Sequence, residues 1–135
     1  MSFKITDLVG TPYELGVTDC WGLVRLAFER GRGIQLPALN EILRGAQDVP
    51  RGFVRNAMLE ETARAWYEIS LSELLPYDYV SLRMTSPDSH CAIVCEDGRL
   101  LTTSGSGLGA RLDPLSRWVQ LRRVCGAFRY RGEVS

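Results

Sequence analysis

Apolar positions recur at two different spacings along this chain, helical in the first half and alternating in the second. In the segment from Cys20 to Arg30, residues Leu23, Leu26, Ala27 and Arg30 fall at helical spacing, and Val24 and Phe28 widen the apolar stripe. That pattern predicts an amphipathic helix with one buried face. Gly31 and Gly33 end it, and Thr18 or Asp19 is placed to cap its start, because a side-chain oxygen there can accept an amide proton of the first turn. "GIQLP" leads out of the helix. Pro37 precedes a short helix expected over Ala38 to Arg44, and a longer one is expected from about Phe53 to Ile69 through "MLEETARAWYEI". From Tyr77 onward the runs "DYVSLRM", "HCAIVCE", "RLLTTS" and "LRRVCGAFRY" read as short strands separated by Pro, Asp and Gly signals. Helices first and antiparallel strands afterwards predict an α+β fold, with N-terminal helices packed on a C-terminal antiparallel sheet. At 135 residues and 45% hydrophobic content, residues 1–135 are expected to form one domain with a real core.

Charge narrows the partners. Sixteen basic residues balance sixteen acidic ones, and no polybasic run marks a surface that would track phosphates, so nucleic acid is not an expected partner. No segment approaches the ~20 apolar residues of a membrane span, and the opening "MSFKITDLVG" lacks the apolar stretch of a secretory signal. The protein is therefore expected to be made and kept soluble in a cytosol, where Cys20, Cys91, Cys95 and Cys125 stay as thiols.

A cysteine at a helix N-terminus feels the positive end of the helix dipole and unpaired amides, which favour thiolate over thiol. Cys20 holds that place. A thiolate nucleophile also needs a base and proton donor, and the chain has one histidine, His90, at the start of "HCAIVCE". The plainer alternatives are a small core cysteine and a surface or hydrogen-bonded histidine. Cys91 and Cys95 have a ligand-like C-x3-C spacing, but four residues of strand put their sulfurs roughly 13 Å apart, too far to share a zinc ion. They are expected to pack beneath the sheet. Alternation sends Cys91 to the face opposite His90, which leaves Cys20 as the histidine's partner. Cys125, in "VCGAF", reads as a small core residue of a closing strand. "TTSGSGLGA" lacks the lysine and following helix of a phosphate loop and reads as a hairpin loop, with Ser104 and Ser106 available as polar contacts. The carboxylates of "EILRGAQD" and "LEETARAWYE" are expected on solvated helix faces. No metal or cofactor signature emerges.

Three separated stretches carry a resemblance. "GTPYELGVTDCWGLV" (Gly10 to Val24) followed by "SHCAIVCEDGRLL" (Ser89 to Leu101) resembles the NlpC/P60 family of papain-like cysteine peptidases, which cleave peptidoglycan stem peptides. The form "DCWGLVRLAF…GIQLP" looks most like the branch found in bacteriophage tail proteins. The resemblance implies that Cys20 is the nucleophile and His90 the general base, and that Tyr13 and Asp19 line the cleft and help to hold substrate. Trp21 stands where many members have serine. The family's third catalytic residue, usually His, Asn or Gln, falls twelve positions after the histidine, at Thr102. A threonine hydroxyl can accept a hydrogen bond from the imidazole but carries no charge. Hairpin register decides whether it can reach: a two-residue Asp97-Gly98 turn puts Leu101 and Thr103 on the face of His90. A three-residue Glu96-Asp97-Gly98 loop puts Thr102 and Ser104 there instead. The second follows the family spacing.

What the resemblance implies is a cysteine endopeptidase acting on peptidoglycan stem peptides through an acyl-enzyme, without cofactor or metal. It would be carried in a phage tail or tail tip, with other tail proteins as partners and the virion as its final location. Two other readings stand beside it: an NlpC/P60 domain that has lost turnover and serves as a structural or assembly component of the tail tip, and a thiol hydrolase or acyltransferase acting on lipids or small amides.

Overall fold

The computed structural model describes residues 2–14, 17–38, 60–84, 90–103 and 107–132. Helix α1 spans Cys20–Arg32. Of the two possible caps, Asp19 takes the role, its Oδ1 accepting the Gly22 amide at 2.8 Å. Gly22 lets the incoming chain come this close, since a Cβ there would stand 2.1 Å from the Val17 carbonyl oxygen. The helix continues through Gly31 and ends at Gly33, whose φ of 66° is the left-handed conformation that glycine adopts without strain. Its buried face is Trp21, Leu23, Val24, Ala27 and Phe28. A short 3-10 helix, Ile5–Leu8, buries Ile5 and Leu8 in the same core. The Ile5 amide is held by the Glu96 carboxylate at 2.9 and 3.0 Å.

Six strands follow: β1 (Trp66–Ile69), β2 (Tyr79–Leu82), β3 (His90–Val94), β4 (Leu100–Thr102), β5 (Arg111–Asp113) and β6 (Val124–Tyr130). They form one sheet in the order β1-β6-β2-β3-β4-β5, with every neighbouring pair antiparallel. The α+β architecture expected from the apolar pattern is thus the one observed. Both faces are covered. On one, α1 packs against Trp66, Tyr79, Cys91, Ile93, Cys95 and Leu101, with edge-on ring contacts such as Trp66 on Tyr79 at 4.8 Å and Trp21 on Tyr79 at 5.8 Å. On the other, Val80, Leu82, Ala92, Val94, Leu100 and Ala127 pack with Trp118 from helix α2 (Leu115–Gln120). The Trp118 indole N–H donates to Asp113 at 3.2 Å.

Four expectations need correction. The helix expected to reach Ile69 stops after residue 65. Trp66–Ile69 pairs with β6 instead, because pairing there buries Trp66 in the aromatic core while Tyr67 and Glu68 stay outside. Glu61 is not on a solvated face: it is 1% exposed, accepting from Arg64 at 2.7 Å and from the Trp66 indole at 3.3 Å. Cys125 is exposed rather than buried. The β2–β6 register steps from Ser81↔Gly126 to Leu82↔Val124, and this bulge turns the skipped Cys125 out of the core. Lastly, β5 and α2 lie in stretches that the alternation did not mark. The expected helix over Ala38 to Arg44 lies from residue 39 onward outside the described residues, as do residues 53–59 of the longer one. No helix among the described residues is long and apolar enough to cross a membrane.

Candidate active site

Cys20 is the first residue of α1 and is partly buried against the core. His90 is the first residue of β3 and only 6% exposed. The β3–β4 connection determines what stands behind the imidazole. The Cys95 amide donates to the Arg99 carbonyl at 2.8 Å and the Gly98 amide to the Cys95 carbonyl at 3.0 Å, which closes a three-residue loop. Ile93 then pairs with Leu101 and Val94 with Leu100, so Thr102 shares the face of His90.

The Thr102 hydroxyl is fully buried and lies 2.7 Å from His90 Nε2. It also donates to the Cys91 carbonyl at 3.0 Å. A hydroxyl has one proton, and a carbonyl can only accept it, so toward the imidazole Thr102 is the acceptor. His90 Nε2 therefore carries hydrogen, and in the neutral ring Nδ1 is left as the base. Trp118 flanks the same ring, with centroids 6.0 Å apart.

Around Cys20 the neighbours act on its thiol with opposite signs. Its pKa falls from an ordinary 9.0 to about 5, first through a hydrogen bond with Cys91, against burial, and then through a hydrogen bond and the positive charge of His90; the Asp19 carboxylate opposes this. Tyr13, 38% exposed, belongs to the same neighbourhood, because burial and the charges of Asp19 and Cys20 raise its phenol. The structure therefore gathers Cys20, His90, Thr102, Asp19 and Tyr13. Ser104, expected as a polar contact, and Ser106 lie outside the described residues.

Two neighbours escaped the sequence reading. Cys91 is buried beneath the sheet as expected, but it also helps to lower the Cys20 pKa. Alternation correctly turned it away from His90, yet gave no information on where α1 lies. Trp118 was missed because a six-residue helix is too short to show a period. All four cysteines are thiols. Among the described residues, no group of three His, Cys, Asp or Glu side chains converges as metal ligands.

A cysteine whose thiol is held well below its ordinary pKa, beside an imidazole whose Nε2 is anchored, can attack a carbonyl carbon and return a proton to the leaving group. The NlpC/P60 family profile matches residues 10–129, which include every residue of this cluster. A comparison with curated proteins finds no match. The chain belongs to the NlpC/P60 family of papain-like cell-wall peptidases.

Proposed function

We propose that this protein is a cysteine endopeptidase that cleaves peptidoglycan stem peptides, with Cys20 as nucleophile, His90 as general base and acid, and Thr102 as the residue that orients the imidazole. The observation that carries the reading is the hydrogen-bonded series from the Cys91 carbonyl through Thr102 to His90 Nε2, which leaves Nδ1 for the Cys20 thiol. In this scheme the thiolate attacks a stem-peptide carbonyl, the C–N bond breaks and imidazolium protonates the departing amine. Water then attacks the thioester, giving one proton to His90 and releasing the acid and the Cys20 thiolate, which restores the thiolate–imidazolium pair.

The first turn of α1 supplies the oxyanion site. The Gly22 amide is taken by Asp19 Oδ1 and that of Leu23 by the Asp19 carbonyl, so among the described residues the amides of Cys20 and Trp21 remain to receive the developing charge. Asp19 and Tyr13 border the sulfur and are suited to holding the substrate beside it. Residues 1–135 act as one catalytic domain. The stretch "DCWGLVRLAF…GIQLP" further supports a place in a phage tail or tail tip, among other tail proteins, from which the enzyme would meet the cell wall.

Purified peptidoglycan incubated with the protein tests this. Release of stem-peptide fragments with new amino termini, absent with Cys20→Ala and His90→Ala, is the expected result. Release of none by a folded protein would leave a structural tail component as the better reading.

A further inference from the structure

Helix α2 carries a tryptophan that the proposed reaction does not use, and it lies against the histidine. The strand registers build the face on which they meet. Val94 pairs with Leu100, Leu100 with Asp113 and Thr102 with Arg111, so His90, Thr102, Arg111 and Asp113 share one side of the sheet. Trp118 covers that side. Its indole packs with Ala92, Val94 and Leu100 and stands 6.0 Å from the imidazole, centroid to centroid, with the two planes inclined by 33°. The indole N–H donates to Asp113 at 3.2 Å. That carboxylate is buried and is paired with the guanidiniums of Arg111 at 3.5 Å and Arg117 at 3.7 Å.

We propose that Trp118, anchored by Asp113, is a positioning residue for His90: its indole walls the imidazole, keeps water from the Nε2–Thr102 hydrogen bond and so leaves Nδ1 turned to Cys20. The inference rests on His90 being the histidine of the reactive pair. One hydrogen bond to an uncharged hydroxyl does not fix a ring whose outer torsion is intrinsically broad. A packed indole removes that freedom. It also lowers the local dielectric around the bond and excludes the competing solvent, and both strengthen a hydrogen bond that is already satisfied. A helix of six residues has little stability of its own, so the bond to Asp113 ties α2 to β5 and keeps the indole in place. The carboxylate in turn persists in a buried position because two guanidiniums pair with it.

The chain has one histidine, so every imidazole signal in a nitrogen-15 NMR spectrum of the full chain belongs to His90. The test is the exchange with water of its Nε2 proton, read beside that of the backbone amides, with circular dichroism to confirm folding. The wild type is expected to show the proton. Trp118→Leu should exchange it at least about tenfold faster while the amides of β3 and β4 stay protected. Trp118→Phe keeps an aromatic wall and should lie between the two. Asp113→Ala frees the indole and should also speed exchange, whereas Asp113→Asn, whose amide oxygen still accepts, should stay closer to the wild type. If Trp118→Leu does not fold, Trp118→Met makes the same comparison. A proton that exchanges as slowly in whichever of these folds as in the wild type, or that speeds up only in step with the backbone amides, would overturn the proposal; so would its absence from the wild-type spectrum. Peptidoglycan digestion run in parallel keeps the two readings apart. Faster exchange in the variants with no fragment release by the wild type would sink the peptidase reading and leave the positioning role standing, and fragments with unchanged exchange would do the reverse.

Discussion

Cys20 and Cys95 contact the same core cluster, yet one ionises at about 5 and the other is pushed up to about 12. Burial acts against the anion in both. The difference lies in the company each sulfur keeps. Cys20 opens a helix and faces a thiol donor and an imidazole. Cys95 opens the acidic β3–β4 turn, where Glu96 and Asp97 add to its burial and Arg99 offsets them only in part. That guanidinium is already committed to Asp97, 2.6 Å away. Desolvation alone makes a cysteine inert; reactivity comes from neighbours that stabilise charge.

The contrast can be broken most completely at the sulfur. Cys20→Ala is expected to lower the rate of stem-peptide release by at least about 10³-fold while leaving the circular dichroism spectrum intact. His90→Ala comes next, with a loss of about 10²- to 10⁴-fold and a rise in the pH at which Cys20 is alkylated, because both contributions of the imidazole lower that pKa. Thr102→Val keeps the shape but removes the acceptor at 2.7 Å. A hydrogen bond to a charged partner is worth about 1.5–3 kcal/mol, so kcat should fall about 10- to 100-fold, with KM little changed. The smallest effect on turnover belongs to the other sulfur: Cys95→Ala should leave the rate within about twofold and lower unfolding stability by about 1–2 kcal/mol in denaturant titrations, as a small cavity does.

Much of this site is legible in the sequence. The N-cap of α1, the lone histidine opening β3 and the spacing to Thr102 are local patterns, and local patterns survive folding. The turn "CEDGR" left two registers open, and the Cys95–Arg99 bonds decide for the one that brings Thr102 to the imidazole. What stayed hidden depends on packing between distant elements. Cys91 influences Cys20 because α1 packs against β3, and nothing in "HCAIVCE" encodes that packing. Trp66–Ile69 follows a helical run, and only the presence of β6 beside it makes it a strand. The bulge that turns Cys125 outward is likewise a property of the β2–β6 pair rather than of either strand.

The most direct measurement is the alkylation profile of the four cysteines in the unmodified protein, resolved by site across pH. A lowered pKa means that thiolate is present above the midpoint and lost as pH falls through it. Cys20 should therefore show half-maximal reactivity near pH 5 and a plateau at neutrality, while Cys95 stays unmodified throughout. Half-maximal reactivity of Cys20 between about pH 8 and 9, the range of an ordinary thiol, would contradict the account.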